Sequence, residues 1–372
     1  MRVGVVTALV LALGLSVIAA PRASAAVDAT VPVPSGAAVP DNHVRVLLPV
    51  GYDADLCRRY PVLYLLAGVG DTWMDWSRRS DLIAFARTLP VIVVMPDGGK
   101  GLEAGWYSDW ADGSRQWERF HIDGVVPWVD ATYRTLGDGH RMIAGFSMGG
   151  FGAMSYAARH PGLFKAAASF SGILDTMYAF PASGPLFGAL HDRFGTPDDR
   201  IWGNQLTHQA EWRAHNPTDL AAKLRGTSLF VYTGTGAPLG SGGVNPQQAQ
   251  QYAVEHFVFQ TNLSFMRALD AAGVSYRSDV HAGYHDWPYF QAGLHWALPQ
   301  MMPLVDVPST PCPAGAPASA GGAPSIAARR ETLPATGDTT NPLLALTLLV
   351  VAAGVARTRS RTTSVTRHES IS

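Results

Sequence analysis

Short, uninterrupted apolar runs recur along the chain at residues 61–67 (PVLYLLA), 91–95, 142–144, 166–170 and 228–232. Runs of this length with no polar face suit strands buried on both sides, as in a parallel sheet covered by helices. Between them lie stretches long enough for helices, at 80–89, 117–133 and 149–160, set off by turns rich in glycine and proline. Strand, helix and strand in alternation predict βαβ units and a mainly parallel central sheet with helices on both faces. Residues 43–49 alternate apolar and polar and predict an edge strand, after an extended lead-in over 27–40. Residues 174–217 break the rhythm, with Gly184, Pro185, Pro197, Trp202 and Trp212 in a stretch that has no clean strand. We read it as an insertion over the carboxyl edge of the sheet, where ligands bind in such folds.

The two ends follow other patterns. Met1-Arg2, an apolar run over 3–20 and the small-residue stretch PRASAA at 21–26 predict a secretory signal over 1–26, cleaved after Ala25 or Ala26. The main domain then covers 27–305, and a linker rich in proline, alanine and glycine covers 306–332. In the last segment, 333–372, Leu333-Pro334-Ala335-Thr336-Gly337 precedes an apolar stretch over 342–356 and the bases Arg357, Arg359 and Arg361. This order is similar to the sortase sorting signal of Gram-positive surface proteins. The resemblance implies cleavage between Thr336 and Gly337, with sortase and peptidoglycan as partners and covalent attachment to the cell wall. A plain transmembrane tail is the alternative, for which the apolar run is short.

Composition narrows the function classes. With 372 residues and 47% hydrophobic content the chain can build one large core. A net charge of −1, with 15% charged residues, leaves no electrostatic case for nucleic acid or an anionic membrane surface. The two cysteines, Cys57 and Cys312, can form a disulfide in an oxidising compartment or stand as two thiols.

The chemistry centres on residues 141–160, RMIAGFSMGGFGAMSYAARH. An apolar run leads into Gly145-Phe146-Ser147-Met148-Gly149, and a helical stretch follows. That is the nucleophile elbow G-x-S-x-G in its strand-to-helix setting, with Ser147 as nucleophile and the Met148 N–H as one oxyanion donor. A serine needs a base, and His285 stands in a late loop, after the strand-like 275–280 and the Gly283 turn. His281 is its rival. The H-x-x-x-H spacing of the two would suit a metal only on a helix, which Gly283 opposes, so no metal is expected. For the acid, no carboxylate directly follows the run at 228–232. Glu255, in a helical segment over 247–269, and Asp279 both remain open, with Glu255 ranked first.

From Pro61 to about Met301 the chain resembles the secreted mycobacterial mycolyltransferases, the fibronectin-binding antigens, within the wider esterase-D-like group of serine esterases. The residues that carry the resemblance are PVLYLLAG at 61–68, GWYSDW at 105–110 and GFSMGG at 145–150. To these add IWGN and EWRAHNP between 201 and 217, AVEHFVFQTN at 253–262, and HDWPYF at 285–290. The resemblance implies an α/β-hydrolase fold with Ser147, Glu255 and His285 as the catalytic residues, and Val69 and Met148 as the oxyanion N–H groups. It implies two-step acyl transfer from an acyl ester substrate to an alcohol or water acceptor, with no cofactor. Trp287, Trp106, Trp110 and Trp73 are expected at the substrate, although core packing is the commoner fate of such rings. The family's aspartate after the first buried strand is replaced here by Ala67, and the polar positions beyond by Gly70-Asp71-Thr72-Trp73. Lipid or glycolipid esters are the expected substrates of this serine esterase or acyltransferase, with a mycolyl- or diacylglycerol acyltransferase proper as the narrower form. A reading of another class is a non-catalytic surface adhesin on a hydrolase scaffold.

Overall fold

In the computed structural model, which describes residues 28–99, 104–179, 198–237 and 245–305, the apolar runs lie side by side. They form β1 (Asp28–Pro32), β2 (His43–Leu47), β3 (Val62–Leu66), β4 (Ile92–Pro96), β5 (Arg141–Phe146), β6 (Ala166–Phe170), β7 (Ser228–Gly234) and β8 (Tyr276–His281). One sheet of eight strands results, in the order β1-β2-β4-β3-β5-β6-β7-β8. Every residue of β3, β4, β5 and β6 is buried, as strands covered on both faces must be. From β4 to β8 all neighbours are parallel.

One expectation fails at the other end of the sheet. Residues 43–49 were expected to form the edge, but β2 pairs with β4 on one side and with β1 on the other, both antiparallel. The outermost strand, β1, comes from the stretch expected to be an extended lead-in. Its alternation is only five residues long and ends at Pro32, so it carries little pattern of its own. The alternation in β2 reflects membership of the antiparallel end of the sheet, where one face is less completely covered, rather than an edge position.

The helices follow the predicted order with shifted bounds. Residues 80–89 yield only α2 (Leu82–Ala86), preceded by α1 (Asp75–Arg79). Residues 117–133 form one helical run, α3 (Trp117–Arg119), a π turn over Phe120–Val125, and α4 (Val126–Thr132). Next comes α5 (Met148–Arg159). The described part of the insertion holds α6 (Asp198–Trp202) and α7 (Gln209–His215), and Trp202 and Trp212 are buried. The longest of the described helices, α8 (Pro246–Ala272), starts on a capping box between Asn245 and Gln248 and stops at Gly273 in a left-handed conformation. The last described helix, α9 (Trp287–Val305), runs on through Pro299 and Pro303.

Side chains from the two faces of the sheet enter two separate cores. Ile143 of β5 points to the face where Phe151 of α5 and Val258 and Phe265 of α8 pack. Met142, Ala144 and Phe146 point to the other, with Trp76 of α1 and Leu294 and Leu298 of α9. Among the described residues no helix is long and apolar enough to cross a membrane. The expected secretory signal, the stretch at 342–356 and Thr336-Gly337 lie outside the described residues.

The outer end of α5 is held by charge. Glu118 of α3 accepts from Arg159 Nε at 2.9 Å and pairs with His160 Nε2 at 2.7 Å. Burial would raise its carboxyl, but these hydrogen bonds and the Arg159 and His160 charges overcome burial and hold it down at about 2. A folded-state value below the unfolded one means that this stabilisation is present above about pH 4.5 and is lost as pH falls toward 2. Glu118→Gln should therefore cost on the order of 2–3 kcal/mol at neutral pH. Denaturant titrations of both proteins at a series of pH values should show the gap narrowing as pH drops from 5 toward 2.

Candidate active site

Ser147 sits between the end of β5 and the start of α5 with φ 52° and ψ −120°, a left-handed conformation that a non-glycine residue adopts only under constraint. The flanking glycines make the turn possible. A Cβ on Gly145 would lie 2.4 Å from the Gly149 carbonyl oxygen, and one on Gly149 would lie 2.5 Å from the Leu66 carbonyl oxygen. The serine N–H donates to Phe170 O at the end of β6, 3.1 Å away. Its hydroxyl is thereby lifted above the carboxyl edge of the sheet.

His285 arrives from the loop between β8 and α9. Its N–H donates to Gln251 O of α8 at 3.2 Å. Gln251 Nε2 also donates to Asp286 Oδ2 at 3.0 Å, so the loop is fastened to α8 on both sides of the imidazole. Nε2 of His285 lies 3.0 Å from Ser147 Oγ, and Nδ1 lies 2.7 Å from Glu255 Oε2. The serine and histidine are 7% and 9% exposed, and Glu255 is fully buried. These three residues, 138 and 30 positions apart along the chain, form one hydrogen-bonded line.

Asp279 lies on β8 and faces His281, with Nδ1 of that histidine 3.6 Å away, and His281 packs against the rings of Tyr232 and Tyr289. Among the described residues no group of histidine, cysteine and carboxylate side chains could hold a metal. Contacts that sequence reasoning missed surround the other oxygen of Glu255. Ser171 Oγ and the Gly234 N–H each donate to Oε1 at 2.6 Å, and Thr233 Oγ1 lies 3.3 Å from it. The small residues after β6 and at the end of β7 were the available signal.

Met148 is the first residue of α5 and Val69 stands in the turn after β3. Gly149 packs against the carbonyls of Leu66 and Ala67, which brings the helix start up to that turn. Among the described residues neither N–H meets a protein acceptor. First-turn N–H groups have no partner inside their own helix and can receive negative charge.

Three of the four tryptophans expected at the substrate are buried. Trp287 is buried against Trp76 and Phe146, with ring centroids 5.4 and 4.7 Å away, and the Arg79 guanidinium lies 4.9 Å over its ring. Trp106 is buried against Phe151 and Trp202, and Trp110 lies buried beside Arg200. Trp73, stacked at 6.0 Å on His43, is the half-buried one of the four. Nearby, Asp71 pairs with Arg79 at 2.9 Å. Burial, helped by the Asp75 charge and opposed by Arg79, pushes the Asp71 carboxyl up to about 7.

The family described as "Putative esterase" matches residues 35–301. Esterase Rv1288 of Mycobacterium tuberculosis is 36% identical over 255 residues, 65% of this chain and 52% of that protein. The chain thus spans about half the length of this curated relative. The diacylglycerol acyltransferase/mycolyltransferase Ag85A of Mycobacterium bovis is 31% identical over 274 residues, covering 69% of this chain and 78% of that protein. Among solved structures, MPT51 (FbpC1) of Mycobacterium tuberculosis aligns over 76% of this chain and 100% of its own, with a TM-score of 0.60 and 22% identity. An S-formylglutathione hydrolase from Agrobacterium tumefaciens covers 76% and 96%, with a TM-score of 0.57 and 17% identity. At such identities the structures carry the fold alone, an α/β-hydrolase, as expected from the sequence. The family match covers most of the chain: this protein belongs to the esterase family.

Proposed function

We propose that this chain is an exported serine esterase or acyltransferase that works through Ser147, His285 and Glu255. The observation that carries the reading is the line from Ser147 Oγ through His285 to Glu255, with spacings of 3.0 and 2.7 Å. In the first step Ser147 Oγ attacks the ester carbonyl carbon while His285 Nε2 takes its proton. Glu255 holds the Nδ1–H and stabilises the imidazolium that forms. The N–H groups of Met148 and Val69 receive the oxyanion. Collapse expels the alcohol, which takes the proton back from His285, and the acyl group stays on Ser147. Water or a second alcohol, deprotonated by His285, then attacks the acyl-enzyme and frees the serine.

Lipid or glycolipid esters are the substrates this reading favours, supported by likeness to a diacylglycerol acyltransferase/mycolyltransferase. The acceptor side differs from that group at Ala67 and over 70–73, which weighs toward hydrolysis. Export is supported by the leader over 1–26 and by Cys57, which is disulfide-bonded, a state that oxidising compartments maintain. Attachment to the cell wall through Leu333-Pro334-Ala335-Thr336-Gly337 completes the proposal.

Three measurements bear on it. A serine-directed phosphonate should add its mass to the peptide holding Ser147, and Ser147→Ala should remove both the adduct and at least about a thousandfold of kcat on a p-nitrophenyl ester. Lack of an adduct, with biological activity unchanged in Ser147→Ala, would instead make the protein an adhesin on a hydrolase scaffold. Supplying trehalose with the ester separates the two chemistries, since free acid alone marks an esterase and an acylated sugar marks a transferase. In cells, Thr336→Ala should shift the protein from the wall fraction to the membrane or medium.

A further inference from the structure

The hydrogen bonds around Glu255 close into a ring. Ser147 N–H donates to Phe170 O, and the next residue, Ser171, donates its hydroxyl to Glu255 Oε1. The other oxygen of that carboxylate faces His285, whose far nitrogen returns to Ser147 Oγ. One short turn after β6 therefore touches the backbone of the nucleophile and the side chain of the acid at once.

That turn is built with care for position. Ser171 is buried and has φ 48°, a left-handed conformation in a residue that is not glycine. Its own N–H donates to Tyr232 O of β7 at 2.7 Å. At the next position a Cβ would fall 2.2 Å from Ser169 Oγ and 2.9 Å from the backbone of Gly150 in α5, so Gly172 seats the turn directly against the helix that begins at the nucleophile. The same turn docks α8, because Asn262 Nδ2 donates to Gly172 O at 2.7 Å and Leu174 N donates to Thr261 Oγ1 at 3.2 Å. Glu255 and Asn262 lie seven residues apart on α8, two helical turns, and so meet the turn with one face.

Resting on the active-site reading above, we propose that Ser171 is a positioning residue that occupies Glu255 Oε1 and so leaves Oε2 alone to face His285. A carboxylate can rotate and offer either oxygen, or share both among its partners. With Ser171 and Gly234 each 2.6 Å from Oε1, rotation would break two charge-assisted hydrogen bonds in a site closed to water. The strained backbone of Ser171 places the hydroxyl where an extended residue would not. The hydroxyl thereby acts through Glu255 on the orientation of the imidazole, without touching substrate.

The test is steady-state hydrolysis of a p-nitrophenyl ester by the mature protein and its variants Ser171→Gly, Ser171→Ala, Glu255→Gln, Ser171→Ala/Glu255→Gln and Ser147→Ala. Glycine suits the left-handed backbone, so Ser171→Gly loses the hydroxyl without added backbone strain and should melt above Ser171→Ala. Both single variants at Ser171 should lose about 10- to 100-fold in kcat with KM within about twofold. On the Glu255→Gln background, removal of the hydroxyl should cost less than about threefold, because the group it acts through is already disabled. A Ser171→Gly protein with kcat within about twofold of the parent, beside an inactive Ser147→Ala, overturns the inference and leaves the active-site reading standing. An equal loss of kcat with and without Glu255 overturns it as well. Hydrolysis that survives Ser147→Ala would sink the active-site reading, and this inference with it.

Discussion

A carboxylate with no access to water dictates much of this structure. Removing an ionised group from solvent is costly unless paired charge and hydrogen bonds replace its hydration, and Glu255 is fully buried. Its replacements come from three separate elements: Ser171 after β6, Thr233 and Gly234 at the end of β7, and His285 after β8. Each of those ends has to arrive at one point, which requires adjacent parallel strands to finish level with one another. The registers of β6 with β7 and of β7 with β8 do this, pairing Phe170 with Tyr232 and Gly234 with His281.

The same constraint explains why the acid is hard to find in the sequence. In the simplest arrangement a carboxylate would follow β7 directly, and none does. Here the end of that strand is a donor instead, giving the Gly234 N–H to an acid that comes from α8, 21 residues later. A Cβ at Gly234 would stand 2.9 Å from Glu255 Cγ, so the strand must end in glycine for the helix to come this close. Nothing local in the helix marks Glu255 apart from its neighbours, so pattern ranked it only a little above Asp279 and the family resemblance decided between them. Asp279 and His281 make a plausible local pair because residues two apart on a strand share a face. On β8, an edge strand, that face carries a half-exposed carboxylate and a histidine packed between tyrosine rings.

Elements whose pattern is local were easy to read. The strand-turn-helix about Ser147 and the buried runs of the central strands carry their instructions within a dozen residues. What pattern could not supply was pairing between distant segments: β1 against β2, the π turn inside the helical run at 117–132, and which aromatic rings face the core. Each depends on a neighbour far along the chain.

The aromatic residues show what that distance hides. Most of the rings expected at the substrate are buried, and two of their neighbours, Trp76 and Tyr107, have their polar atoms on the backbone at the end of β3 and just beyond. Trp76 Nε1 donates to Leu66 O at 2.9 Å, and Tyr107 OH donates to Ala67 O at 2.9 Å. The Phe146 ring fills the space beside Gly68, where a Cβ would come within 2.4 Å of it. The Leu66 and Ala67 carbonyls are thereby engaged toward the core, and the peptide unit that carries the Val69 N–H is held through its own carbonyl, Gly68 O, which accepts from Asp71 N at 3.2 Å. An oxyanion donor has value in proportion to how little it must reorganise when charge appears. Buried rings can thus bear on such a site without lining it, through the rigidity of the backbone they hold, and Ala67 keeps its carbonyl in that arrangement by accepting from Tyr107 OH.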